Sequence, residues 1–175
     1  EFTRTGGELK MIQLWVNLPA KDKMTHPGYQ SITADVIPDV ALADGAGNIR
    51  VIAGSYDQVT GPAHTFSPLN VWDMQLNQGH DITLRQPDGW SSALVVLEGE
   101  ITVNGAEQAR EGQLVVFSQQ GEAIHLHATA NAKVLLLAGE PLREPIVGYG
   151  PFVMNTRQQI AEAVRDFNGG RFGQI

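Results

Sequence analysis

Apolar positions in this chain fall into short runs and period-two alternations punctuated by glycine. That pattern predicts strands over most of the length. The clearest stretch is 94–117. Apolar runs at 94–97 and 114–117 flank a middle in which Ile101 and Val103 alternate with Glu100, Thr102 and Asn104. Glu98-Gly99 ends the first run, and Gly112 re-opens a strand before the second. Asn104-Gly105 predicts a two-residue hairpin, because a type I′ turn needs positive φ at both central residues. Together these features predict a small antiparallel barrel.

The rest of the chain extends the pattern. Residues 11–18 (MIQLWVNL) alternate, with Ile12, Leu14 and Val16 on one side and Gln13, Trp15 and Asn17 on the other, which predicts a strand. A charged loop bounded by Pro19 and Gly28 follows, residues 29–36 carry no clear period, and Ile37-Pro38-Asp39 reads as a linker. Residues 40–43, Asp44-Gly45 and then Ile49, Val51 and Ala53 predict strand, turn and strand. Residues 54–68 read as irregular, with Gly61-Pro62 as a breaker pair. Residues 69–76 alternate again, Asn70, Trp72, Met74 and Leu76 against Leu69, Val71, Asp73 and Gln75. Ile82 and Leu84 mark a short strand, and Pro87-Asp88-Gly89 a turn. Strands are also expected at 124–128 and 134–138, and 139–151 is Pro- and Gly-rich and extended. One helix stands out near the end. Asn155 or Thr156 is its N-cap, Thr156 with Gln159 makes a capping box, Ile160, Val164 and Phe167 form its apolar stripe, and Gly169-Gly170 stops it. The chain predicts an all-β fold with one C-terminal α-helix.

Composition narrows the function classes. With 175 residues and 42% hydrophobic content there is enough chain for one ordinary domain and its core. A formal charge of −7 argues against nonspecific nucleic-acid or anionic-membrane binding, which needs a basic face. The absence of cysteine excludes disulfides, zinc–thiolate sites and cysteine nucleophiles, and it is compatible with a reducing, cytoplasmic setting. No apolar stretch approaches the ~20 residues of a membrane span. Glu1-Phe2-Thr3-Arg4 has neither an initiator Met nor a leader pattern and reads as a processed, proteolytic or cloned end.

Candidate chemistry rests on five histidines: His26, His64, His80, His125 and His127. His125 and His127 are the sharpest pair, because i and i+2 on a strand share a face, as in a His-x-His metal pair. Their neighbours Ile124, Leu126 and Ala128 have the opposite parity and should face the core, which turns the histidines outward. His26 and His64 are lone loop histidines, and His80 follows the Gln78-Gly79 turn. Glu98 and Glu100 share a parity but bracket a glycine, so each reads as a solvated charge. Ser91-Ser92 lacks a nucleophile elbow and a base, and there is no phosphate-binding glycine motif. Trp15, Trp72 and Trp90 read as packing anchors, and the polar side of the final helix carries Arg157 and Arg165, with Arg171 following.

Residues 13–23 (QLWVNLPAKDK), 138–145 (AGEPLREP, which includes Arg143 and Glu144) and 150–156 (GPFVMNT), together with Gly89-Trp90 and the terminal Gly-Arg-Phe-Gly, resemble the pirin family of bicupins. The resemblance runs over essentially the whole chain. It implies two cupin barrels packed face to face. The first would bind one iron or similar metal through a His-x-His, a later His and a Glu. Some members resemble quercetin 2,3-dioxygenases, which open a flavonol with dioxygen, and the human type is a nuclear transcription co-regulator. The metal-bearing segments of the family precede the QLWVN stretch, and Glu1 does not align securely with the ligand Glu. The expected organisation is therefore 1–36 as the terminal strand and linker of a preceding cupin barrel, 37–150 as the C-terminal cupin barrel, and 151–175 as helix and tail.

Cupin ligand spacing, laid on the second barrel with Gly99 as the motif glycine, puts Ser92 at the Glu position. The first two His positions fall on Arg85 and Pro87 or on Gln86 and Asp88, and the later His position falls on Ile124. No catalytic, cofactor-binding or metal-binding residue is expected in this chain, and iron is expected only in the preceding cupin. The parent is expected to be a flavonol dioxygenase, or alternatively a metal-modulated protein-interaction module. The stripes Ile12/Leu14/Val16 and Ile160/Val164/Phe167 are expected to be exposed without the preceding barrel, so that the partner is that barrel or a second copy in a homodimer.

Overall fold

The structure, a computed structural model, describes residues 2–7 and 10–172. After a helical turn, α1 (Phe2–Thr5), residues 10–38 contain no strand and two short 3-10 turns, at Ala20–Asp22 and Ala34–Val36, and lead to the first strands, β1 (Asp39–Ala41) and β2 (Gly47–Ala53). A small hairpin follows, β3 (Ser55–Tyr56) and β4 (Val59–Thr60), and then β5 (Leu69–Leu76), β6 (Asp81–Arg85) and β7 (Ser91–Glu98). Next come β8 (Glu100–Val103), β9 (Glu107–Arg110), β10 (Leu114–Val116), β11 (Ala123–Ala128) and β12 (Ala132–Gly139). A second hairpin, β13 (Val147–Tyr149) and β14 (Phe152–Met154), precedes α2 (Arg157–Asn168).

Two antiparallel sheets enclose the core. The larger has the order β1-β2-β5-β12-β7-β10, and the smaller β6-β11-β8-β9. The chain passes from one to the other at Gly99, whose φ is 78°. A side chain there would sit 2.1 Å from the Asn131 carbonyl oxygen, so the crossing requires glycine. Alternate positions of facing strands fill the interior: Ile49, Val51, Trp72, Met74, Leu94, Val96, Val134 and Leu136 from the large sheet, and Ile82, Leu84, Ile101, Val103, Ile124 and Leu126 from the small one. Fully burying an aliphatic side chain of this size contributes about 1.5–3 kcal/mol, so this interior is the main source of stability.

The turn at Asn104 and Gly105 has positive φ at both residues, 50° and 70°. The loop is nevertheless one residue longer than expected. Val103 pairs with Glu107, which leaves Ala106 as an extra residue on the return strand. The final helix begins at Thr156, and both halves of the capping box are formed with Gln159.

Two expectations are corrected. Residues 11–18 form no strand: their alternation is present, but no neighbouring strand supplies the hydrogen bonds that define one. Ile12, Leu14, Trp15 and Val16 are all exposed, so Trp15 is no packing anchor. The stripe on α2 is also not uncovered as a whole. Ile160 and Ala163 are buried because the helix lies on the β13–β14 hairpin, and Phe167 stays exposed while its ring meets Phe152 and Phe172 edge-on. The β3–β4 hairpin falls within 54–68, which reads as irregular, whereas β13 falls within 139–151, which reads as extended, and β14 follows it.

Candidate functional site

Inside the barrel, the positions where a cupin would carry its ligands are occupied by neutral groups. Gln86, Ser92 and Ile124 are buried, whereas Arg85, Pro87 and Asp88 are exposed. Gln86 is hydrogen-bonded across the interior: its Oε1 accepts from Asn70 Nδ2 at 2.8 Å, and Asn70 Oδ1 accepts from the Ser55 amide at 3.1 Å. Gln86 Nε2 and Trp72 Nε1 are buried without a hydrogen-bond partner. Neutral amides, one hydroxyl and an isoleucine do not fit an iron ion, which takes imidazole and carboxylate donors. Among the described residues, no three His, Asp or Glu side chains gather as metal ligands. Asn70 was not singled out by its sequence position, although a signal was there: it is the one polar residue sharing a parity with Trp72, Met74 and Leu76.

The histidine pair lies on the opposite face. On β11, Ile124, Leu126 and Ala128 are buried, His125 is exposed and His127 is half-exposed. His125 Nδ1 lies 3.0 Å from Thr83 Oγ1, and His127 Nδ1 lies 2.9 Å from Asp81 Oδ1. Thr83 and Asp81 are the direct cross-strand partners of these two residues on β6. The other histidines lie apart from the pair. His26 is in the loop after the Ala20–Asp22 turn with its Nδ1 near the Pro27 carbonyl, His64 meets the Phe66 ring edge-on, and His80 sits at the turn before β6.

The two glutamates beside Gly99 belong to separate ion pairs. Glu98 meets Lys10 at 2.5 Å, and the hydrogen bond and charge of that ammonium hold the Glu98 carboxyl below its ordinary range. Glu100 accepts from Arg110 Nε at 2.6 Å and from the Thr129 hydroxyl. Ser91 Oγ accepts from Gln119 Nε2, and among the described residues no side-chain hydrogen bond links either serine to a His, Asp or Glu. Burial, with the Asp57 carboxylate next in line, pushes the Tyr56 hydroxyl up; its ring meets Trp72 edge-on.

The three stretches that carry the family resemblance meet at one place outside the barrel. Glu144 Oε2 accepts from the Ala20 amide at 2.7 Å and from Asn155 Nδ2 at 3.2 Å. Lys23 Nζ donates to Asn17 Oδ1 and to the Val153 carbonyl. The N-terminal segment is thereby clamped to the second hairpin and to the start of α2. Beside this clamp is an open groove of about 1050 Å³, lined by Met24, Tyr29, Phe66, Phe152, Arg171 and Phe172 among others. The clamp is made of charge-assisted hydrogen bonds from the Lys23 ammonium and to the Glu144 carboxylate, which tie the N-terminal segment to the rest of the chain.

Two facing antiparallel sheets, crossed at a glycine and filled by alternating apolar residues, define this protein as a cupin. A family model described as the pirin C-terminal cupin domain matches residues 71–173. A Pseudomonas aeruginosa protein named "Putative quercetin 2,3-dioxygenase" is 50% identical over 171 residues, which are 98% of this chain and 59% of that protein. Human pirin is 32% identical over 166 residues, 93% of this chain and 57% of that protein. The crystal structure of a quercetin 2,3-dioxygenase from Acinetobacter baumannii superposes with a TM-score of 0.87 at 49% identity, over 92% of this chain and 56% of that one. The chain belongs to the pirin family, and it spans rather less than two thirds of the length of these relatives.

Proposed function

We propose that this chain is the scaffold cupin of a pirin-type, metal-dependent dioxygenase that opens a flavonol such as quercetin. In this reading the metal, iron or another divalent ion, is held by a cupin barrel preceding residue 36, and the present barrel contributes shape. The names of the relatives support the reaction class. The observation that carries the division of labour is the interior of the barrel, where Asn70, Gln86, Ser92 and Ile124 occupy the space ligands would need. The work of this chain is then to present a rigid wall and to tie the N-terminal segment to it through Glu144 and Lys23.

The test compares the full-length parent with this 175-residue chain. The parent is expected to consume quercetin and dioxygen and to lose that activity on chelation, while this chain alone turns over no quercetin. Quercetin turnover by this chain, with iron held inside its barrel, would overturn the reading.

A second reading, a metal-modulated interaction module, is favoured by one observation. Ile12, Leu14, Trp15 and Val16 form an exposed apolar strip joined to the barrel through the clamp. A partner protein that still binds a parent lacking its metal ligands would support this reading over the enzyme. No step of either reading involves nucleic acid or a membrane, and no helix among the described residues is long and apolar enough to cross one.

A further inference from the structure

We infer that His125 and His127 form a chelating site on the outer face of the small sheet for a divalent transition metal of borderline softness, such as Ni²⁺, Cu²⁺ or Zn²⁺. The site lies outside the barrel and is separate from the chemistry proposed above. Three features of the structure carry it.

The first is placement. Both imidazoles project from the same face of β11, as the burial of Ile124, Leu126 and Ala128 requires. Residues i and i+2 on a strand are separated by roughly 6.5–7 Å, which two imidazoles span by leaning toward one ion with metal–nitrogen distances of about 2.0–2.1 Å.

The second is tautomer. The carboxylate of Asp81 accepts only, so the His127 Nδ1 beside it carries the proton. The Thr83 hydroxyl can accept from His125 Nδ1 in the same way. Each ring then keeps its lone pair on Nε2, and among the described residues no hydrogen bond engages either Nε2. A histidine whose second nitrogen donates to a carboxylate or another oxygen is the usual arrangement at metal sites, because that bond fixes both the tautomer and the direction of the ring.

The third is rigidity. Thr83 and Asp81 are the registered partners of His125 and His127, so the orienting groups are held by the same ladder as the ligands. With two protein ligands, water fills the remaining positions. Imidazole suits nickel, copper and zinc better than the hard cations magnesium and calcium, which sets the selectivity.

The test is calorimetric titration of the untagged 175-residue chain with nickel chloride and, separately, zinc chloride. One Ni²⁺ per chain is expected. His125→Ala and His127→Ala are each expected to weaken binding at least tenfold, and the double variant to abolish it. Asp81→Asn replaces the accepting carboxylate by an amide and is expected to weaken binding about tenfold, the low end of such outer-shell effects. Asp81 is a positioning residue here, and unchanged far-UV circular dichroism of the variant separates that role from a folding defect. The same nickel should selectively broaden the ring resonances of His125 and His127 over those of His26, His64 and His80. Equal affinity in the double variant, broadening centred on the other three histidines, or no nickel bound would overturn the inference. The variants leave quercetin turnover by the parent untouched, so this site and the proposed function fail independently.

Discussion

On β6 and β11 every second residue is turned to water: Asp81, Thr83, Arg85 and His125 are exposed, while Ile82, Leu84, Ile124 and Leu126 are buried. On β7, β10 and β12 the residues between the core positions are instead Ala93, Val95, Leu114, Val116, Leu135 and Leu137. The strand pairing lines these up as two apolar rows on the outer face. An antiparallel sheet that faces water on one side alternates, whereas one apolar on both faces is built to be covered. The outer face of the large sheet is divided. Toward β2 it carries Arg50, Asp73 and Lys133 in a chain of ion pairs, and toward the β10 edge it ends in Leu114 and Val116, 59% and 70% exposed. The two sheets therefore share one core but differ in what lies behind them. The small one is a solvent wall, and the large one offers its β10 half to another surface, which we propose is the preceding barrel or, in its absence, a second copy of this chain.

The largest expected effect tests what the sheets have in common. Leu126→Ala in the small sheet and Leu136→Ala in the large one both open a cavity in the shared core. Each is expected to lower stability by about 2–5 kcal/mol in denaturant unfolding. A much smaller loss for either would mean that the interior is not continuous across the sheets.

A middle-sized effect is expected outside both sheets. Glu144→Ala removes the acceptor shared by the Ala20 amide and Asn155, a loss of about 1–2 kcal/mol for charge-assisted bonds that are partly exposed. Faster hydrogen exchange at Ala20, with the amides of β5 and β12 unchanged, would show that the clamp holds the N-terminal segment and not the barrel.

The comparison itself is sharpened by outer-face substitutions, whose effect on stability is small. Leu114→Lys with Val116→Lys is expected to change stability by less than about 0.5 kcal/mol per site and to disperse an associated chain into monomers in sedimentation velocity. His125→Ala on the small sheet is expected to change neither stability nor association. A wild-type chain that sediments as a monomer at all concentrations would remove the proposed difference between the faces.

The smallest effect lies where the chain leaves one sheet for the other. The Glu98 carboxyl is held below its ordinary value of 4.5 by Lys10, so the pair's contribution is complete above that value and is lost as pH falls through the lowered one. Both partners are exposed, so the change in global stability is slight. The Glu98 side-chain resonance should titrate at lower pH than in Lys10→Ala, and identical titration would remove the Lys10 pair as its cause.

Much of this was legible along the chain because the relevant rules act over two to four residues. Parity placed Ile124 and Leu126 inward and the histidines outward. Asn104-Gly105 announced positive φ, and Thr156 with Gln159 announced the helix start. The large sheet hid its character in plain view, since runs such as 94–97 and 135–138 read as core and do not say that half of each run faces away from it. What needed the folded chain were relations between distant residues. Residues 11–18 have the alternation of a strand and are none, because a strand exists only where another chain segment supplies its hydrogen bonds. Asn70 on β5 and Gln86 just after β6 share one hydrogen bond across the interior, and Glu144 gathers Ala20 and Asn155 from opposite ends of the sequence. Local turn chemistry and side-chain parity are written in neighbouring residues, whereas pairing, clamping and the covering of a face depend on which surfaces meet, and that is decided only when the chain closes on itself.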